Sequence, residues 1–373
     1  MKYRLGNICK IGDGLHGTPN YCKNNEFYFI NGNNLKGELI DLSNARSVSK
    51  AEYLKYNPNL IPQKTVLLSI NGTLGNTAIY NGESIILSKS VAFFECSTDI
   101  ITPEYLKLYF ESCNFQNILN NMATGTTIKN VGLKSLRSLM IDLPSINIQR
   151  EIVNIIKPFE NKLYLNNQIN DNLEKLNRNF FRHIFGDQKP INKASDIANI
   201  KIGKTPPRKQ NQWFSFKDGY KWLSIKDMKR EGAFAFYAEE HLTEKAIQKF
   251  NIQVVPQYTV MVSFKLTIGR VKISIEDMVT NEAIAQFKDS TLPYEFLYTY
   301  LDNFPFETLG STSSIAKAIN SKILKSMPIL VPKAELLSRY MIFAKPIFAK
   351  IFELQNENIK LNILKETLLN KYF

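Results

Sequence analysis

Hydrophobic and polar positions along this 373-residue chain follow two rhythms. TVLLSI (65–70) and TVMVSF (259–264) alternate in the manner of strands, and Thr102 followed by Pro103 marks an N-cap and first helical position ahead of EYLKLYFES. A short helix and a last strand, LMIDLP or MPILVP, are expected to close each globular part. Beyond each closing proline the period changes. Phe159, Leu163, Leu173, Phe180 and Ile184 step by multiples of about 3.5 residues, and Ile347, Ile351, Leu354, Leu361, Leu368 and Tyr372 continue that frame 188 residues later. Two long helices are predicted, with Asn170 and Asn358 at equivalent seam positions and Asn177 matching Lys365. A polar seam residue costs stability and fixes register, so the helices are expected to pair with each other.

The chain also repeats itself. IPQKTVLLS (61–69) returns as VPQYTVMVS (255–263), an offset of 194 that also places Gly75 on Gly269. FINGNNLKGE faces WLSIKDMKREG, and Pro103 faces Pro293. GTTIKNVGLKSLRSLMIDLP faces STSSIAKAINSKILKSMPILVP at an offset of 188, the slip expected where loops between shared elements differ in length. The fold class is α+β in two copies of one unit: globular domains at 1–144 and 187–332, each followed by a spacer helix region, 145–186 and 333–373.

Composition narrows the chemistry. Four cysteines without a CxxC pair, and only three histidines, argue against a zinc site or a disulfide framework. The start of the chain has no apolar run of signal-peptide length, and YMIFAKPIFAKIF is broken by Lys345 and Lys350, so a soluble cytoplasmic protein with no membrane partner is expected. The formal charge of +13 is concentrated: residues 201–230 hold nine Lys or Arg against two Asp, interleaved with Trp213, Phe214, Phe216, Tyr220 and Trp222. That mixture suits phosphates and the flat faces of bases or sugars, and equally describes a solvated basic face.

Catalytic motifs are missing. GDGLHG (12–17) fits the dinucleotide fingerprint, but Pro19 sits where the phosphate-facing helix would run. NPNL at Asn57 and TPPR at Thr205 both lack the pattern that grips an extruded adenine, and no P-loop, HExxH or GxSxG occurs.

DGLHGTPNY followed by FINGNNLKGE, and GKTPPRKQNQWF followed by KWLSIKDMK, resemble the openings of the two target recognition domains in specificity subunits of type I restriction-modification systems. The resemblance covers nearly the whole chain, including INIQREIV after the first closing proline. It implies two homologous α/β target recognition domains separated by two long antiparallel coiled-coil helices, pseudo-twofold symmetric. It further implies a non-catalytic reader of a bipartite, asymmetric target in double-stranded DNA. Two modification subunits would bring S-adenosylmethionine, and restriction subunits would bring ATP-driven translocation, with Mg in the partner subunits and no cofactor in this chain. The sequence departs from the pattern at Lys204, where a glycine is usual, and in KAELLSRYM, which lacks the Glu-Gln element of which the first copy keeps Gln149.

Candidate DNA-binding residues follow from the chemistry of Arg and Lys with guanine, and of Asn and Gln with adenine, on loops. In the first domain they are Thr18, Asn20, Tyr21, Lys23, Asn33, Asn34, Asn71, Thr73, Thr126 and Lys129. In the second they are Thr205, Arg208, Lys209, Gln210, Asn211, Lys226, Lys265, Thr267, Arg270, Ser313 and Lys317. Any one of them serves a phosphate contact or a turn as readily as base reading. An RNA- or protein-binding two-headed scaffold is the alternative, separable by salt-dependent binding to bipartite duplex DNA.

Overall fold

The repeated segments form the central strand of a sheet in each of two compact units, Met1–Leu163 with Lys360–Phe373, and Tyr164–Ile359. The computed structural model describes residues 1–373 except 24–25, 57–60, 126–128 and 310–318. Thr126, Ser313, Lys317 and the NPNL segment at Asn57 lie outside the described residues.

In the first unit, strands β1 (Cys9–Asp13), β2 (Val66–Ser69), β3 (Thr77–Ile79) and β4 (Val91–Cys96) form an antiparallel sheet in the order β1-β4-β2-β3. All four residues of β2 are buried because both faces of the sheet are covered. Val66 and Leu68 enter a core with Phe94 and Phe110, while Leu67 packs with Ile30, Ile85 and Leu87 beneath a second, three-stranded sheet. Helix α1 (Pro103–Glu111) covers the first face, and the Thr102 hydroxyl accepts the Tyr105 N–H at 3.3 Å as its cap, at the residue the sequence marked.

The second unit repeats this plan. Strands β5 (Asn199–Ile202), β6 (Phe234–Ala235), β7 (Val260–Ser263), β8 (Val271–Ser274) and β9 (Ile284–Lys288) run in the order β5-β9-β7-β8-β6, with β6 an added edge strand. Val260 and Val262 face one core with Phe287 and Phe296, and Met261 faces another with Leu223 and Met278. The turns match bond for bond. Lys64 (φ 66°) donates its N–H to Tyr80 O at 2.7 Å, and Tyr258 (φ 61°) to Ser274 O at 2.9 Å. Gly75 and Gly269, at φ +85° and +87°, donate to Ser69 O and Ser263 O at 3.0 and 2.9 Å. The duplicated sequence thus encodes a strand apolar on both faces and the left-handed turns that frame it.

Two long helices carry the 3.5-residue rhythm, α2 (Ile146–Phe185) and, after α3 (Tyr294–Asp302), α4 (Ala334–Tyr372). They run antiparallel to each other within each unit. In the second unit Asn166 Nδ2 donates to Asn358 Oδ1 and to Glu357 Oε2, both at 2.8 Å, while further along α2 Asn177 meets Tyr340. Asn177 Nδ2 donates to Thr299 Oγ1 at 2.8 Å, and the Tyr340 hydroxyl lies 3.0 Å from Asn177 Oδ1, tying α2, α3 and α4 together in a buried network. In the first unit Lys365, 188 residues from Asn177, joins Glu160 of α2 and Glu111 of α1, both also bonded to buried Lys107. The repeat therefore keeps a polar lock at one position and changes its chemistry from neutral to ionic.

The seam differs in detail from the predicted one. Asn170, Ile351 and Leu354 are buried, but Phe159, Leu163, Leu173, Phe180, Ile184, Asn358, Leu361 and Leu368 are only partly so. The buried α2 positions are Gln149, Ile152, Ile156, Glu160, Asn166, Asn170, Asn177, Phe181 and Phe185. The line is displaced because α2 packs on its head domains as well as on α4: Phe181 and Phe185 meet Phe296 at ring separations of 5.3 Å.

Candidate nucleic-acid interface

Strand register decides which loops meet. Asp13 pairs with Ala92 and Ser69 with Val91, so the chain leaving β1, the 70–76 loop and the 88–90 segment emerge at one edge of the first sheet. Lys89 N–H donates to Leu15 O at 3.0 Å, Thr73 Oγ1 to Asn33 Oδ1 at 3.0 Å, Asn71 Nδ2 to Asn130 Oδ1 at 3.2 Å, and Lys129 Nζ to Asn120 Oδ1 at 3.3 Å. Asn33, Asn71, Thr73 and Lys129, far apart in sequence, thus form one cluster.

Other candidates lie elsewhere. Asn20 is clamped by Glu52, which accepts its backbone N–H at 3.0 Å and its Nδ2 at 3.2 Å. Tyr21 is exposed beneath the Arg46 guanidinium at 4.8 Å, a cation that no sequence pattern singled out; Thr18 and Lys23 are exposed as well. Asn34 leaves the candidate set. It is 5% exposed, its Oδ1 accepts the Asn31 N–H at 2.9 Å, and its Nδ2 donates to Asp41 O at 3.0 Å, so both ends of the amide are spent on the turn. GDGLHG opens no helix: β1 ends at Asp13, and Leu15 makes an isolated bridge to Ser88.

The second unit presents the matching edge, where Ile202 pairs with Ala285 and Ser263 with Ile284. The 264–270 loop carries Lys265, Thr267 and Arg270 there, and Thr205 Oγ1 bonds the Glu282 carboxylate on the neighbouring segment. Arg270 Nη1 donates to Ile225 O at 2.9 Å, beside exposed Lys226. Lys209 and Asn211 are exposed, and Gln210 Oε1 accepts the Trp213 Nε1–H at 2.6 Å. Lys204, the departure from glycine, donates to the carbonyls of Phe250 and Asn251 at 3.1 and 3.0 Å, capping the end of a short helix.

Of the five aromatic side chains in the basic stretch only Phe216 stands exposed, so the stretch is not a continuous open aromatic platform. Trp213 and Trp222 are 8% and 2% exposed and form a small core with Leu242 and Val279. Arg208 Nη1 reaches both oxygens of Glu240 at 2.8 and 2.7 Å with its guanidinium 4.3 Å from the Trp222 ring, and Lys226 pairs with Glu239 at 2.6 Å. Acidic residues from 239–240 and 282 fold back onto the stretch. Gln149 is likewise internal: its Oε1 accepts the Thr102 N–H at 3.0 Å and its Nε2 donates to Ile100 O at 2.8 Å, clamping α2 to its domain. Its counterpart, Leu337, packs against the apolar core instead.

Two buried ionic sites support these frames. Burial alone would raise the Glu160 carboxyl, but the Lys107 and Lys365 ammonium groups prevail and hold it down at about 2. Burial, aided by Asp302, pushes Glu174 up to about 7, and burial lowers nearby Lys272 to about 8 against the pull of Glu174.

A two-unit chain with duplicated sheet-edge loops and paired helices matches one family along nearly its full length. The model for the type I restriction modification DNA specificity domain matches residues 1–175 and again 191–366, and the chain belongs to that family. It is 21% identical over 372 residues to the HindI type I restriction enzyme specificity subunit of Haemophilus influenzae, covering 77% of this chain and 80% of that one. It is 21% identical over 387 residues to the MjaIX specificity subunit of Methanocaldococcus jannaschii, covering 95% and 84%. The crystal structure of the type I restriction-modification S subunit from M. genitalium shares its fold with a TM-score of 0.56 at 14% identity, over 100% of this chain and 96% of that one.

Proposed function

We propose that this chain is the DNA-reading subunit of a type I restriction-modification complex, each head reading one half of a split, asymmetric target. The observation that carries this reading is the pair of equivalent loops. Ser69, Thr73 and Gly75 recur as Ser263, Thr267 and Gly269, whereas Asn71, Gly72 and Asn76 become Lys265, Leu266 and Arg270. One frame is kept while the side chains it displays change, which suits two heads reading different bases.

The chain does no chemistry itself in this proposal. Modification subunits supply S-adenosylmethionine and the adenine pocket, restriction subunits supply ATP and Mg-dependent steps, and the complex works in the cytoplasm. Among the described residues no helix is long and apolar enough to cross a membrane. Apolar side chains for docking stand on α2 in each unit, Ile148 and Ile155 exposed at heptad spacing in the first and Ile169 and Leu176 in the second. On α4, Ile342 and Ile359 are exposed in the second unit and Ile363 in the first, and exposed apolar positions in both units suit two modification subunits. The test is to express the chain with its cognate modification subunit and map N6-methyladenine across the host genome. A split motif that vanishes when either partner is omitted supports the reading. A continuous motif, or methylation by the purified chain alone, overturns it.

A further inference from the structure

Leu266 stands at the tip of the 264–270 loop with 93% of its surface exposed and its backbone in the left-handed region at φ 62°. Its counterpart is Gly72 at φ +74°, in the same turn closed by the same bonds. A Cβ added at Gly72 would meet nothing within 4 Å, so glycine there answers the backbone angle rather than crowding. The second head holds a leucine at the equivalent angle, which is costly for a residue with a γ-branched side chain, and holds it in water. Burial does not repay that cost within the chain. Lys265 beside it is exposed, as is Ile268, and the loop opens from the sheet edge that carries Thr205 and Arg270.

We infer that Leu266 is an apolar wedge that enters the stacked bases of the half-site read by the second head, with Lys265 placed for the adjoining phosphate. The inference rests on the DNA-reading proposal above. A side chain meant to pack on a base edge can lie against its own domain, whereas one that separates base pairs must stand clear of it, as Leu266 does. Kinking a flexible step in this way adds sequence preference without a hydrogen bond, and confines it to one half-site because Gly72 has nothing to insert.

The test uses the full chain with its modification subunit and a duplex carrying the mapped motif, with 2-aminopurine placed in turn at positions of each half-site. Wild type should raise 2-aminopurine fluorescence at one step of the second head's half-site and at none in the other. Leu266→Gly and Leu266→Asn, both at ease in the left-handed region, should abolish that signal and weaken binding by ~10-fold or more. Leu266→Met should keep both. The salt dependence of binding should be the same in all four proteins, since no charge is altered. If wild type prefers the motif over a scrambled duplex and Leu266→Gly matches it in affinity and fluorescence, the wedge is wrong and the reading role stands. If wild type shows no preference for the motif, the reading role falls and the wedge with it.

Discussion

Replacing Lys107 by methionine tests how the long helices are fixed to the first domain. Lys107 is 1% exposed; its ammonium bonds Glu160, lies 3.2 Å from Glu111 Oε1 and 4.0 Å from Glu38 Oε1, and shares both closer carboxylates with Lys365. Lys107→Met leaves buried Glu160 and Glu111 with the Lys365 ammonium between them and takes from Glu38 the ammonium 4.0 Å away. Breaking a buried ionic network by removing one partner costs about 3–5 kcal/mol, which for a unit of this size lowers its melting temperature by roughly 10 °C. The pH dependence identifies the cause. Glu160 is held at about 2 in the folded protein, below its ordinary 4.5, so its contribution is complete above about pH 4.5 and is lost only as pH falls through about 2. Without Lys107 the Glu160 carboxyl should rise and take up a proton in mild acid, so the penalty should be smaller at pH 4 than at pH 7. Calorimetric melting of both proteins at the two pH values measures this, and the double variant Lys107→Met/Glu160→Leu should recover much of the loss. A variant that melts within ~2 °C of wild type at pH 7, or that loses as much at pH 4, would refute the account of the network.

In the second unit, Glu174 sits at about 7 because of burial and Asp302, so the folded state holds its proton more tightly than the unfolded one and stability should decline as pH rises from about 4.5 through 7. Glu174→Gln should remove that part of the slope in urea denaturation between pH 5 and 7.5; identical slopes in the two proteins would contradict it. The helices offer a separate prediction. Asn166 bonds Asn358 on one side of Asn170 and Asn177 bonds Thr299 on the other, so four residues inserted in α2 alone should break one set and lower the melting temperature. Four residues inserted in both helices, after Asn170 and after Leu354, add ~6 Å while keeping the pairing, and should lengthen the unspecified gap of the methylated motif by one or two base pairs at ~3.4 Å each. Methylation at the original spacing with full efficiency would show that the helices do not set it.

What the sequence revealed depended on what each element needs. The central strands were legible because a strand buried on both faces demands apolar residues throughout, and the 75 and 269 turns because only glycine meets their angles at no cost. The seam was legible only as a period. Asn166, Glu160 and Phe181 are buried through partners as distant as Asn358, Lys365 and Phe296, which no local spacing names. The basic stretch misled for a similar reason: Glu239, Glu240 and Glu282 neutralise or engage its side chains from outside residues 201–230, and its tryptophans turn inward into a small core with Leu242 and Val279. Asn33 and Thr73, candidates by residue type alone, are joined in the fold by a hydrogen bond that no local spacing names.

The measurement closest to the central claim is an exchange of heads. Residues 1–144 are replaced by the matching segment of a relative with a different target, and the chimaera is expressed with its modification subunit while N6-methyladenine is mapped genome-wide. Two independent readers on one chain require that one half of the motif change to the relative's and that the other half stay as it was. A motif altered in both halves, or in neither, would contradict the account.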